Sequence, residues 1–525
     1  MASPFTATFD GTAKDALEFW HIPGASFAVL HGANSWTRAY GNADQESKTP
    51  TTSETLFYAA STTKAHLCAA WGVYIDSDLN RGRPKKDQVE WSTPLVEIIR
   101  EDFVLADCVR TAQVTLEDAL SHRTGLPSHE LSYGYDGVKE TKSVTRNLRN
   151  LPLSSSGFRT TLEYCNTPFI AASHALEVLT ERPMAAYLDE MLWKPLGMTQ
   201  SFPGYPKAAE AVKDRGMTLA KGTVWSKAPG SKDEHEGHLV EEEHQDFPEI
   251  SGAGYVISNA NDYIRWMRAW LEPGSGPLRP ALIKEVWTSR TIAPPDDAEI
   301  ECIDGVLAYG LGWYINMYRG RIVYWHPGGL IGAGSYIMLC PDIHWGVTLF
   351  ANGEGASLKI KGLAFELLDV ALGISEKDRT MRIRCQDRAV KIYADSRESQ
   401  KRRREELCPD VPADRKIPLA VPLSAYTGRF SHPGYGPLTF TAVHVTADQK
   451  VLHVDLTSRT WRNLLIFEHA NAEHWLVEKQ MGQSPLRTIL RAESRIGVDG
   501  TVVAWGIALE PSLPDTLMWF DKIRN

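Results

Sequence analysis

The chain has 525 residues, 43% hydrophobic and 23% charged, which excludes a mostly disordered polymer and exceeds what one core can hold, so two or three domains are expected. A net charge of −9 and a pI near 6.0 argue against a nucleic-acid binder. No stretch has the uninterrupted apolar length of a membrane span, no basic-then-apolar leader opens the chain, and seven cysteines lack paired spacing, so a cytoplasmic protein with free thiols and no membrane partner is expected.

Residues 8–20 read as a helix broken at His21-Ile-Pro-Gly24. Ala25–Leu30 and Trp36–Tyr40 read as a hairpin, the second strand ending at Gly41. Behind it, Ser61-Thr62-Thr63-Lys64 opens the run Ala65–Ile75, apolar on nearly every side, as in a helix buried inside a domain. Residues three apart share a helix face, so the Lys64 amine can reach the Ser61 hydroxyl. A serine hydroxyl needs a base to become a nucleophile, and a lysine in a dry site can act as one. Backbone N–H groups at the helix start can hold an oxyanion. These residues sketch a serine acyl-transfer site. They also fit a helix cap followed by a solvated lysine, so other parts of the chain must decide.

Arg81–Lys86 reads as an exposed basic loop. Residues 94–101 and Thr115–His122 read as helices, the latter with Thr115 and Asp118 near its start and a stop at Gly125-Leu-Pro127. Residues 128–160 are irregular, and a loop this long in a compact domain is usually functional. Tyr164-Cys165-Asn166 precedes helices over 168–181 and 184–194. Residues 231–246 are acidic and histidine-rich; His235, His238 and Glu241 to Glu243 have ligand chemistry, but nothing fixes their geometry, so a solvated loop without metal is expected. Ser251–Ser258 reads as a glycine-led strand, with Asn261 or Asp262 capping a helix through Trp270.

Tyr309–Ile315, Arg321–Trp325, Ser335–Leu339 and Trp345–Phe350 read as four strands of an antiparallel sheet, with His326–Gly334 between the second and third and a helix over 357–372 packed on it. Residues 376–406 read as a long charged helix linking domains, closed by the proline-rich Val411–Pro422. Six short strands follow (438–442, 451–456, 463–467, 474–477, 501–505 and 516–520), expected to form a small closed or nearly closed β-barrel. The expected domains are 1–375, a helical linker 376–422, and a barrel 423–525.

Ser61-Thr62-Thr63-Lys64, Tyr164-Cys165-Asn166 and His326-Pro327-Gly328, in this order and separation, resemble the three motifs of the serine β-lactamase and penicillin-binding-protein superfamily. The nearest branch holds class C β-lactamases, family VIII carboxylesterases, D-aminopeptidases and the lovastatin acyltransferase. The resemblance runs from about residue 10 to about 373 and includes Leu120–Pro127 and Lys194–Met198; the C-terminal part resembles the lipocalin-like appendage of some members. It implies an α+β fold, an antiparallel sheet flanked by helices plus a helical subdomain holding Tyr164.

It also implies roles. Ser61 would attack a carbonyl and become acylated. Lys64 and Tyr164 would share its proton, with the Lys64 cation lowering the Tyr164 phenol and the pair titrating as a unit. Asn166 would orient Lys64 and bind the acyl group. The backbone N–H groups of Ser61 and of Gly329, next to Gly328, would form the oxyanion hole. His326 would face the pocket and donate to substrate or Tyr164. One departure matters: His326 stands where β-lactamases carry a permanently cationic lysine. That favours an intracellular esterase, amidase or acyltransferase over a dedicated β-lactamase or cell-wall carboxypeptidase. Tyr133, Tyr135, Trp225, Trp313 and Trp325 are candidates for the pocket wall. The expectation is a serine hydrolase acting on a small-molecule ester, amide or thioester without metal or organic cofactor. Acyl transfer, β-lactamase activity and a non-catalytic scaffold are the alternatives, and a homo-oligomer is left open.

Overall fold

The N-terminal hairpin pairs Gly24–His31 with Asn34–Asp44, in register from Gly24↔Gly41 to His31↔Asn34. Here and below, the computed structural model describes residues 2–155, 157–228, 236–274, 276–407, 415–444, 450–484 and 486–523. The second strand outruns its sequence pattern, because Gly41, at φ +66°, bends the chain without taking it out of the sheet. The first strand then pairs with Trp345–Ala351, from Ala25↔Ala351 to His31↔Trp345. Both ends of the first 370 residues thus build one antiparallel sheet. Its nine strands run in the order 49–50, 34–44, 24–31, 345–351, 333–340, 321–330, 314–318, 308–309, 291–292.

Three expected strands change. The 309–315 segment is two strands, Ala308–Tyr309 and Tyr314–Tyr318, split by a turn in which Gly312 has φ +72°. A Cβ there would lie 2.9 Å from the Lys64 carbonyl oxygen, so the turn packs directly on the Ser61 helix. The strand Arg321–Leu330 contains His326-Pro-Gly rather than ending before it. Ser251–Gly254 is a helical turn, and only Val256–Ser258 is strand. The cap of the next helix, Ala260–Leu271, is Asn259, whose side chain accepts the Asp262 N–H at 2.9 Å.

The helix Thr63–Asp76 is buried from Thr63 through Gly72, as its all-round apolar sequence requires. Trp71 donates its indole N–H to the Ala172 carbonyl at 3.1 Å, joining it to the helix Thr167–Thr180. On the other face of the sheet, Lys361–Ala371 covers Tyr318 through Phe365.

Met381–Leu407 is the expected charged helix; 408–414, at the start of the proline-rich run, lie outside the described residues. Beyond it eight antiparallel strands close a barrel: 428–432, 436–444, 450–456, 463–471, 474–481, 487–496, 502–507 and 518–522. The first and sixth were not anticipated; 487–496 carries Arg, Thr, Glu and Ser among its apolar residues, which hides its period. Inside, Phe440 stacks on Trp505 at 4.5 Å and Trp475 lies 5.1 Å from Trp505.

The histidine-rich run is also different from expectation. Gly237–Glu242 is a strand paired with Gly222–Lys227, while His235 lies outside the described residues. Among the described residues no group of three His, Cys, Asp or Glu side chains could hold a metal ion, and no helix is long and apolar enough to cross a membrane. The six described cysteines are free.

Candidate active site

Ser61 sits on a tight turn, Ala60–Thr62, at the start of the buried helix. Ala60, just before it, is held at φ +48°, a left-handed conformation that costs a non-glycine residue about 1 kcal/mol. Its surroundings enforce it. Thr62 Oγ1 and Ser335 Oγ both donate to the Ala59 carbonyl, at 2.9 and 2.6 Å, and the Ala59 N–H donates to Val256 at 2.8 Å. Gly328 passes so close that a Cβ would stand 2.5 Å from the Ala59 oxygen. The third motif therefore buttresses the turn that presents Ser61.

Lys64 is fully buried. Its Nζ lies 3.1 Å from Ser61 Oγ, 2.8 Å from Asn166 Oδ1 and 3.0 Å from the Ala253 carbonyl. The last two atoms can only accept, so they hold two of the amine's N–H bonds and aim its third position at the Ser61 hydroxyl, an N–H when Lys64 is charged and the lone pair when it is neutral. Burial favours the neutral form: it pulls Lys64 from its ordinary 10.5 down to about 7, against the opposing charge of Glu130.

Tyr164 is set by its neighbour. The Cys165 N–H donates to His122 Nδ1 at 3.1 Å, and the His122 ring packs 4.2 Å from the Tyr164 ring. His122 follows a helix fixed by a Thr115–Asp118 capping box, with Asp118 also paired to Arg123 and Arg159. The Tyr164 phenol and Ser61 line the same cavity, and Lys64 Nζ lies 4.9 Å from the Tyr164 ring centre. The expectation that Lys64 lowers this phenol is overturned: burial pushes it well up, because a site dry enough to neutralise Lys64 also disfavours a phenolate.

Asn166 bridges. Its Oδ1 accepts from Lys64, and its Nδ2 donates to Glu130 Oε1 at 3.1 Å. A carboxylate that only accepts fixes which way the amide faces.

His326 does not face the pocket. It is fully buried; Nδ1 donates to the Pro327 carbonyl at 2.6 Å, which leaves Nε2 to accept the Tyr309 hydroxyl at 2.9 Å. Its ring centre is 6.2 Å from that of Tyr164, and burial drives its pKa down to about 3, so it is a neutral part of the sheet.

A cavity of about 360 Å³ opens at Ser61, Tyr164 and Asn166, with Glu130, Gly329, Leu330, Ile331 and Glu354 around it. Three walls come from outside the first 370 residues: Tyr393 of the long helix, and Trp461 and Met481 of the barrel. None of the five aromatic residues expected to line the pocket lines this cavity. Tyr133 is buried in the core beside Glu130, and Tyr135 packs on Gly436. Trp225 stacks on His21 at 3.6 Å, Trp313 meets Trp270 at 5.2 Å, and Trp325 stacks between Tyr314 and Tyr336. Their places near the motifs in sequence reflect packing of the sheet and helices. Glu130 was within reach, since it lies in the 128–160 loop; Trp461 and Met481 carry no local signal, because only barrel docking brings them here.

That docking uses one end of the barrel. Four alternate strand connections touch the rest of the chain. Asn147 donates to the Gly434 carbonyl at 2.7 Å, and Arg459 to the Leu131 carbonyl at 2.7 Å. Gln483 donates its N–H to Glu242 at 3.2 Å, and the His129 N–H donates to Glu510 at 2.7 Å.

A serine with a buried lysine of lowered pKa beside it, on an antiparallel sheet flanked by helices, is the arrangement of a serine-hydrolase-like protein. Residues 9–369 match the family described as Beta-lactamase, and the chain belongs to that family. It is similar along its length to the "Unguisins hydrolase ungD'" of Aspergillus campestris: 34% identical, covering 99% of this chain and 92% of the relative. Its fold is that of the octameric penicillin-binding protein homologue from Pyrococcus abyssi, with 17% identity, 98% and 99% of the two chains covered and a TM-score of 0.59. D-amino acid amidase from Ochrobactrum anthropi SV3 shares the fold over 70% of this chain and 98% of its own, with 20% identity and a TM-score of 0.54.

Proposed function

We propose that the protein hydrolyses an amide of a small, peptide-like molecule through an acyl-Ser61 intermediate. The observation that carries this is the buried Lys64 amine, held by Asn166 and the Ala253 carbonyl with its remaining position 3.1 Å from Ser61 Oγ, where its lone pair, once neutral, can take the Ser61 proton. Lys64 takes that proton as Ser61 Oγ attacks the carbonyl carbon. The backbone N–H groups of Ser61 and Gly329 receive the oxyanion. Tyr164, kept neutral by burial, gives its proton to the leaving nitrogen and is reprotonated by the Lys64 ammonium; water then loses a proton to Lys64 as it attacks the acyl carbonyl, and that proton returns to Ser61 Oγ as the acid departs. An amide is favoured over an ester because a fold neighbour is named an amidase, and the relative similar along the whole chain is named a hydrolase. The division at about 375 and 422, with the last part completing the pocket, belongs to the same reading, as does a homo-oligomer, supported by the octameric state of the Pyrococcus homologue.

The test is intact-protein mass after mixing with p-nitrophenyl esters, with nitrophenolate followed in parallel, then turnover of unguisins and simple amides. An acyl adduct in wild type that is lost in Ser61→Ala is expected. Identical behaviour of the two proteins across esters, amides and thioesters would remove Ser61 as nucleophile. Light scattering on the same sample reads the oligomeric state.

A further inference from the structure

The Ser61 cavity continues along the seam where the barrel meets the rest of the chain. It shares Leu330, Ile331 and Trp461 with a narrow slot of about 30 Å³. The slot in turn shares Glu242, Glu243 and Arg462 with a groove of about 460 Å³. Consecutive barrel residues mark the path. Trp461 stands between the cavity and the slot, Arg462 between the slot and the groove, and Asn463 in the groove wall. Two residues of chain span at most about 7 Å, so the groove begins a short reach from the cavity. The paired strand repeats the arrangement: Met481, opposite Asn463 in register, lines the cavity, and its neighbours Gln480 and Gly482 line the groove.

The groove is fitted for a peptide chain. Beyond the charged residues at its near end, Thr457, Asn463, Gln480 and Gln483 offer neutral groups, and carboxamides donate and accept as backbone amides do. Asn463 is 1% exposed. Its Nδ2 donates to the Trp461 carbonyl at 2.8 Å, which fixes the orientation of the amide. Its Oδ1 is buried and accepts no hydrogen bond from any described residue. Buried acceptors are rarely left unpaired, so this one calls for a donor that the described residues do not supply. The slot is bridged by the Arg462–Glu243 ion pair at 2.8 Å, whose Glu243 end is exposed. Closed, the slot has room for one or two waters, so a chain crosses it only when the pair parts, which costs little for a pair open to solvent.

We propose that the seam groove is a distal subsite for the peptide chain of the substrate. A chain held at Ser61 continues past Trp461 and under Arg462, and one of its backbone N–H groups donates to Asn463 Oδ1. The substrate of the acyl-Ser61 reading, on which this rests, is then a peptide of several residues rather than a single amino-acid amide.

The experiment has two arms, both on the full chain. Calorimetry on Ser61→Ala, which leaves the peptides intact, measures Kd for alanine-rich peptides of two, four and six residues, acetylated and amidated at their ends. Kd should fall about tenfold from two residues to six. Adding Gln480→Trp, which fills the groove, or Asn463→Leu, which removes the acceptor, should cut that gain to about twofold or less. Asn463→Asp keeps an oxygen acceptor and should keep the gain; equal loss in the Leu and Asp variants overturns the acceptor role. In the second arm the same peptides compete with labelling of wild-type Ser61 by a fluorophosphonate, read by intact mass. The six-residue peptide should slow labelling at about a tenfold lower concentration than the two-residue one. A Kd independent of length, or a gain that survives Gln480→Trp, overturns the proposal. So does a six-residue peptide that binds without slowing labelling, since the groove would then be separate from the Ser61 cavity. If Gln480→Trp fails to fold, Thr457→Trp fills the same groove. Absence of wild-type labelling at any pH overturns the acyl-Ser61 reading, while the Kd series still decides the groove.

Discussion

Among the described residues of the family-matched part of the chain two lysines are buried, and they have opposite characters. Lys64 touches only neutral groups, Ser61, Asn166 and the Ala253 carbonyl, and falls to about 7. Lys361, at the start of the helix over the far face of the sheet, pairs with Glu301 at 2.7 Å. Burial pulls it down too, but Glu301 and the neighbouring thiols outweigh burial and leave it above its ordinary value. Burial alone therefore does not make a base. A base needs burial with hydrogen-bond acceptors and no carboxylate in contact; Glu130 stays one residue away, behind Asn166.

Substitution separates the two. Lys64→Met should cut acylation by about 10³- to 10⁴-fold, the loss expected when a nucleophile's base is removed. It should also stabilise the fold. The folded-state pKa of Lys64 is depressed, so between about 7 and 10.5 the unfolded chain holds more protons, and stability rises with pH across that window. Below 7 the full penalty of keeping a cation there applies, on the order of a few kcal/mol. Lys64→Met escapes it, so its melting temperature should exceed that of wild type at pH 6 and converge on it near pH 10.

At the other lysine the sign reverses. Glu301→Gln strands the Lys361 charge in the core and should cost about 3 kcal/mol of stability by denaturant unfolding, with Ser61 labelling of the folded protein unchanged. A loss of labelling there, or a neutral effect on stability, would break the contrast between a structural and a chemical lysine.

The pH profile of wild type sharpens it. Labelling needs neutral Lys64, so its rate should fall about tenfold per pH unit below an acidic limb near 7. A limb near 4 would assign the requirement to a carboxylate instead.

Much of this was legible in the sequence, for physical reasons that differ by part. The Ser61 helix announces itself because it is apolar on every face, and the Ser-x-x-Lys spacing is a geometric fact of helices. The eight-stranded barrel was legible as a class, but Arg487–Ile496 was not, since polar residues on its wet face blur the alternation. His326 was read by position in the motif order and placed in the pocket. Its actual place depends on which face of the strand it occupies, which the Tyr309 hydroxyl reveals and the motif does not. The five aromatic candidates failed for a related reason: nearness in sequence to a motif says little about nearness to Ser61 in a folded sheet. The direction of the Tyr164 shift was misjudged by weighing the Lys64 charge without the burial that neutralises it.

The smallest expected effect concerns how dryness at Lys64 is maintained. Trp461 closes the cavity from the barrel side, in a loop anchored by Thr460 to the buried Glu249. Trp461→Ala removes a large apolar wall while leaving Ser61, Lys64, Tyr164 and their hydrogen bonds in place. Loss of that contact area should raise KM about tenfold with little change in kcat, as expected for binding shared by ground and transition states. Opening the wall also admits water toward Lys64. If the barrel helps keep the lysine dry, its pKa should rise toward the ordinary value and the acidic limb of labelling should move up by a fraction of a unit. A rise in KM with the limb unmoved would mean that the helix and the Phe169 side, 5.3 Å from Lys64 Nζ, suffice to exclude water. The barrel would then contribute substrate contact at this wall and no electrostatics, and the contrast between the two lysines would be a property of the catalytic part alone.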